Sequence, residues 1–92
     1  EMYGGTFRLF DKILRRFGIE FTYVDMTNPD AVRKALTPAT KMVYTESPTN
    51  PMMMLTDLAA VATIAKEAGA MTVVDNTFAS PFVQQPLRLG AD

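Results

Sequence analysis

Two apolar periodicities alternate along this chain of 92 residues, and the alternation leaves few folds open. Phe10, Ile13, Leu14 and Phe17 recur at i, i+3, i+4 and i+7, which puts apolar side chains on one face of a helix. Thr6 is the expected cap of that helix and Gly18 its stop. Ile19 to Val24 is short and rich in β-branched and aromatic residues, and reads as a strand. Asn28-Pro29-Asp30 combines a capping side chain, a first-turn proline and an acid at the positive end of a helix dipole. The helix it opens should end near Leu36, before Thr37-Pro38. Lys41 to Thr45 reads as a second strand, and Ser47 to Pro51 as a loop punctuated by prolines. A third helix begins near Thr56-Asp57, with Asp57 the favoured cap, and runs to Ala68 with Gly69 as its stop. Leu58, Val61, Ala62 and Ala65 share one face of it. Met71 to Val74 reads as a third strand ending at Asp75, and the tail, Phe78 to Asp92, as a loop with room for one helical turn.

The order α-β-α-β-α-β calls for parallel strands, since strands joined through helices cross over rather than turn back. The expected class is α/β, a three-layer, doubly wound parallel-sheet segment. No linker, repeat or low-complexity stretch divides residues 1–92, so a single unit without internal boundary is expected. Three parallel strands are few for a sheet normally covered on both faces. Leu89-Gly90-Ala91-Asp92 also reads as the approach to a further strand. The expectation is a partial domain, cut from a larger one.

Charge and composition remove several classes of function. A net charge of −1 argues against nucleic acid as partner, because phosphates call for a basic face. No apolar run approaches the ~18 residues that span a bilayer. The opening Glu1-Met2-Tyr3-Gly4 lacks the pattern of a signal peptide. Cysteine and histidine are both absent, which excludes thiolate zinc sites, disulfides, cysteine nucleophiles and histidine acid/base chemistry within these residues. No metal site is expected. The lack of cysteine accords with a reducing compartment.

Ligands of open parallel sheets bind beyond the carboxyl ends of the strands. Glu46 and Asp75 stand at two such ends, where each either braces the following loop or faces a ligand. Two carboxylates in one crevice repel, so one should protonate unless a cation lies nearby. No Lys or Arg adjoins Asp75, which leaves a ligand cation or a remote basic residue. In Glu46-Ser47-Pro48-Thr49-Asn50-Pro51 two prolines stiffen the backbone, and either X-Pro bond is open to the cis form. Such a loop either presents the Asn50 amide at a fixed angle or makes an ordinary turn. Gly4-Gly5 permits close backbone approach, leaving Tyr3 over a pocket or merely exposed. Met52-Met53-Met54 is expected to be packing material, and Lys12, Arg15 and Arg16 a solvated helix face.

The segments Tyr3-Gly4-Gly5-Thr6, Glu46-Ser47-Pro48-Thr49-Asn50-Pro51 and Val74-Asp75-Asn76-Thr77-Phe78 occur in this order, followed by Pro86-Leu87-Arg88-Leu89-Gly90-Ala91-Asp92. Together they resemble the Cys/Met-metabolism family of pyridoxal-phosphate (PLP) enzymes, over essentially the whole chain. That family includes cystathionine γ-synthase, cystathionine γ-lyase, methionine γ-lyase and O-acylhomoserine sulfhydrylases. The resemblance implies the large domain of the fold type I PLP-dependent transferases, with pyridoxal 5'-phosphate as cofactor. It implies γ-elimination or γ-replacement on sulfur or homoserine-derived amino acids, the trans-sulfuration chemistry of cysteine and methionine metabolism. By resemblance, Tyr3 lies over the PLP ring and serves proton transfer, Asn50 sits near the phenolic oxygen, and Asp75 pairs with the pyridine nitrogen. Thr77 matches a threonine beneath the ring, and Glu46 a supporting acid.

The family's Schiff-base lysine belongs to a Ser-x-Thr-Lys motif that falls beyond Asp92, and the main phosphate-binding groups also lie outside. Lys41 and Lys66 follow no such motif, so the isolated chain is expected to be inactive. The resemblance further implies a cytoplasmic homotetramer with its active site shared across a dimer interface, acting on a small amino-acid substrate, with no nucleic acid or membrane as partner. The competing expectation is a non-catalytic α/β ligand-binding module, excised or designed. Aminotransferases share an aspartate at the pyridine nitrogen, but the Tyr-Gly-Gly and Glu-Ser-Pro-Thr-Asn-Pro pairing fits them less well.

Overall fold

The computed structural model describes residues 1–92, and its first helical segment starts earlier than the Thr6 cap implies. Helix α1 (Gly4–Arg8) continues as a π turn over Leu9–Ile13 and a 3-10 turn over Leu14–Phe17. Tyr3, not Thr6, is the capping residue, and its carbonyl accepts the Phe7 N–H at 3.1 Å. Gly4 and Gly5 take helical backbone, so the close approach they permit is used inside the first turn rather than before it. Gly18, at φ 81°, stops the segment as expected.

Helix α2 (Pro29–Ala35) follows from its cap: Asn28 Oδ1 accepts the N–H of Asp30 at 3.0 Å and of Ala31 at 3.3 Å. In helix α3 (Leu58–Glu67) Asp57 Oδ1 accepts the Ala60 N–H at 3.0 Å, and Gly69 at φ 72° closes the far end. Strands β1 (Met42–Glu46) and β2 (Met71–Asp75) pair in parallel, in register from Met42 with Met71 to Glu46 with Asp75. The tail holds two short helical turns where one had room: α4 (Ser80–Val83) and a 3-10 turn, Pro86–Leu89. It then returns to the outer edge of β2. There the Asp92 N–H reaches the Thr72 carbonyl at 3.1 Å, and Asp92 Oδ2 accepts the Thr72 N–H at 2.9 Å.

The strand expected over Ile19 to Val24 does not form, and the sheet has two strands, not three. Side chains of this segment are engaged with the first helical segment instead. Phe21 stacks on Phe10 at 4.8 Å between ring centroids, and Tyr23 tilts against Phe7 at 5.4 Å. An apolar groove of about 900 Å³ lies between residues 19–24 and the free edge of β1, so the two backbones never meet. β-Propensity describes side chains that suit a half-buried pleated surface; it supplies no ladder partner.

The core gathers Val32, Val43, Val61, Ile64, Ala65 and Ala70, with Val24, Met26 and Leu36 packed against it. It sits between α2, α3 and one face of the sheet. Elsewhere many large apolar side chains are exposed. Of the expected first-helix face, Ile13 is 51% and Phe17 78% exposed. Met52 and Met53 are also exposed rather than filling a gap. The Arg33–Glu67 pair, 2.8 Å apart, joins α2 to α3 in solvent and contributes little.

This division yields a contrast in stability. Ile64→Ala should cost about 2–5 kcal/mol by opening a cavity in the core. Ile13→Ala should stay within about 0.5 kcal/mol. Urea unfolding midpoints check both; equal shifts would contradict the placement of the core.

Candidate active site

Side chains on the sheet face opposite α3 build the site. Val43, Thr45 and Thr72 are buried on the α3 side. Alternation therefore sends Tyr44 and Glu46 of β1 to the other face, and the in-register pairing adds Asp75 of β2 beside Glu46. The two carboxylates singled out from their positions at strand ends are thus immediate neighbours on the last rung. One further main-chain bond, Ser47 N–H to the Asp75 carbonyl at 3.3 Å, extends the ladder past them.

Glu46 is 8% exposed. Its Oε2 accepts the Tyr3 N–H at 2.7 Å and its Oε1 accepts the Asn50 N–H at 2.8 Å. Such ionic hydrogen bonds are short and strong, and they offset the cost of burying the charge. One carboxylate thereby gathers the start of α1 and the loop after β1 at the end of the sheet. Both X-Pro bonds of that loop, Ser47-Pro48 and Asn50-Pro51, are cis. Tyr3 is about half exposed, and its ring folds back over the helix start. A Cβ on Gly5 would come within 2.5 Å of Tyr3 Cε1, so any other residue there would push the ring out of this position.

Asp75 carries its charge without a basic neighbour. Its Oδ1 accepts both the Thr77 hydroxyl at 2.6 Å and the Thr77 N–H at 3.1 Å, and its Oδ2 accepts the Tyr44 hydroxyl at 3.2 Å. The Thr77 hydroxyl does most to hold the Asp75 carboxyl below the ordinary carboxylate range; partial burial opposes it, and the Thr77 N–H and Tyr44 hydroxyl add to the lowering. Two neighbouring carboxylates would ordinarily need a cation or a proton. Three hydrogen-bond donors take the cation's place, and the nearest of them is two residues along the chain.

Tyr44 is a site residue that sequence reasoning missed. Its ring meets Phe10 edge-on at 5.1 Å. Burial, with the negative charges of Asp75 and Glu46, pushes its phenol up to about 12, so it is a donor across the physiological range. Counting two residues back from Glu46 would have found it, once the pairing of β1 with β2 was known.

Here an α/β unit sets an anionic acceptor, an aromatic ring and an amide-bearing loop around the carboxyl ends of parallel strands, where folds of this class bind ligands. The chain belongs to the Cys/Met metabolism PLP-dependent enzymes, whose sequence model matches residues 1–92. It is 53% identical over 92 residues to cystathionine gamma-lyase of Bacillus subtilis, and 48% identical to a probable cystathionine gamma-synthase of Herpetosiphon aurantiacus. All of this chain is covered in both, against 24% and 29% of the relatives. The crystal structure of cystathionine gamma-lyase from Lactobacillus plantarum, complexed with L-serine, superposes with a TM-score of 0.98 at 52% identity, over 100% of this chain and 24% of that one. The chain therefore spans about a quarter of the length of these relatives.

The residues present fit the family's cofactor. An ionised carboxylate accepts but cannot donate, and Asp75 Oδ2, with one donor, keeps a lone pair for a protonated ring nitrogen. Tyr3 offers an aromatic face, suited to a flat ring.

Two outcomes test this geometry. Glu46→Gln leaves one acceptor for two N–H groups and turns an amide donor toward one of them. The loss of about 1–3 kcal/mol should speed hydrogen exchange at Tyr3 or Asn50 by roughly five- to hundredfold. Unchanged exchange at both amides would contradict the clamp. The raised phenol of Tyr44 contributes stability that is complete below the ordinary tyrosine value of 10.0 and is lost as pH rises through about 12. An alkaline absorbance titration should show a phenolate step there that disappears in Tyr44→Phe.

Proposed function

We propose that these residues form part of the large domain of a fold type I PLP-dependent enzyme catalysing γ-elimination or γ-replacement on sulfur or homoserine-derived amino acids. The observation that carries this reading is Asp75: an anion at a strand end, held ionised by three donors, with no cation of the chain beside it. Relatives named cystathionine gamma-lyase and cystathionine gamma-synthase, each about half identical to this chain, support the substrate class.

PLP, when bound, supplies an electron sink for carbanion chemistry. The Asp75 carboxylate would accept a hydrogen bond from the pyridine nitrogen, keeping it protonated and the ring electron-withdrawing. Thr77 fixes the orientation of that carboxylate and would support the ring. Tyr3 would offer its aromatic face to the ring, and its hydroxyl would supply a proton to the departing Cγ substituent. The Asn50 carboxamide would donate to the phenolic oxygen, and Glu46 fixes the main chain of Tyr3 and Asn50.

The Schiff-base lysine and most of the phosphate site belong to parts of the enzyme outside residues 1–92, so the isolated chain is inactive. The parent is a cytoplasmic homotetramer whose active site is shared across a dimer interface. Its partner is a small amino acid, neither nucleic acid nor membrane. No helix here is long and apolar enough to cross a membrane.

Removing the carboxylate tests the reading. An ionic hydrogen bond is worth about 1.5–3 kcal/mol, so Asp75→Ala in the full-length enzyme should weaken PLP retention by roughly ten- to hundredfold. Turnover with cystathionine should fall with it. Full cofactor occupancy and near-normal turnover would overturn the role of Asp75.

A further inference from the structure

The β1–β2 ladder stops one bond past Glu46 and Asp75, yet two of the groups assigned to the cofactor, Asn50 and Thr77, lie beyond it on two separate loops. One loop carries Asn50; the turn after β2 carries Thr77. A single side chain ties them together. Gln84, just after α4, leaves helical geometry at φ −137° and ψ 133°. Its Nε2 donates to the Ser47 carbonyl at 2.8 Å and to Asn76 Oδ1 at 2.9 Å. Asn76 Nδ2 donates back to the Gln84 carbonyl at 2.9 Å. Both residues are also pinned to α4, through Gln84 N–H to the Ser80 carbonyl at 3.1 Å and Ser80 N–H to the Asn76 carbonyl at 2.8 Å. Ser47 is 1% exposed, and its Oγ accepts the Thr56 N–H at 3.0 Å, so the point where Gln84 grips is itself fixed.

We infer that Gln84, locked to Asn76, is a positioning residue of the cofactor site: its carboxamide sets the spacing between the Asn50 loop and the Asp75–Thr77 turn. This rests on the PLP reading above. The pyridine nitrogen and the phenolic oxygen belong to one rigid ring, so their distance is invariant. Protein groups that address both atoms must match that distance, and reaction sites lose function when they are loose by about an ångström. The main-chain ladder fixes the strand ends, and the Gln84 clasp carries the constraint out to the loops. A carboxamide suits the task because one nitrogen presents two N–H donors to two acceptors. A carboxylate at this position would face two acceptors with none.

The test uses the full-length enzyme with Gln84→Met, which keeps length and removes the donors, with Asn76→Ala, and with both. PLP affinity by equilibrium dialysis, the cofactor absorption maximum, kcat, KM and melting temperature are read for each. Gln84→Met should weaken PLP binding by roughly tenfold, the scale of one buried hydrogen bond. It should also shift the absorption maximum and lower kcat more than it raises KM. Asn76→Ala should do the same, and the double variant should add little to either, because a reciprocal clasp is broken once. PLP affinity and absorption unchanged while the melting temperature falls would overturn the inference and leave a purely structural role; additive losses would do so too. If Gln84→Met does not fold, Asn76→Ala carries the same readouts. A parent enzyme that takes up no PLP would overturn the cofactor reading and this inference together. A parent that binds PLP and variants that bind it equally well would overturn the inference alone.

Discussion

Glu46 stands on the last rung of the ladder, almost wholly out of water, with each oxygen taken by a main-chain N–H from another segment. Breaking one of these contacts would leave a buried charge under-satisfied, which costs more than the bond itself contributes. The carboxylate therefore dictates where its neighbours lie. Helix α1 starts at Gly4 because the Tyr3 N–H is already spoken for, without any capping side chain. The loop after β1 folds back on the strand it leaves because its Asn50 N–H returns to Glu46, four residues earlier. The proximity of Tyr3, Asn50 and Asp75 follows from this one group and the in-register neighbour beside it.

Features written in local chemistry were legible in the sequence. Asn28 and Asp57 cap their helices as their side chains and positions imply, and glycines end two helical segments at positive φ. Parallel pairing of β1 and β2 follows from the helix between them. What failed depended on distant partners. Residues 19–24 have strand-like side chains, but a strand exists only through a ladder, and Phe21 and Tyr23 face aromatic rings of the first helical segment instead. The cap shifted from Thr6 to Tyr3 because the deciding acceptor lies 43 residues away.

The site shows the same division. Glu46 and Asp75 drew notice from their places at strand ends, and Tyr3, Asn50 and Thr77 from motif resemblance; the structure brings these five residues together. Tyr44 and Gln84 were not visible. The first needs the strand register to be seen as a neighbour of Asp75, and the second needs the tail to fold back across the sheet ends. The ionisation of Asp75 has a local source instead: a neutral threonine two residues on, whose hydroxyl and N–H both reach one oxygen.

The grip of Glu46 touches only the main chain of Tyr3 and Asn50. Its geometry is therefore indifferent to which side chains stand at those positions, glycine at position 5 aside. Side chains can be exchanged there one at a time while the frame around them keeps its shape. A scaffold of this kind separates where chemistry happens from which chemistry happens, and lets single substitutions explore the second at little risk to the first.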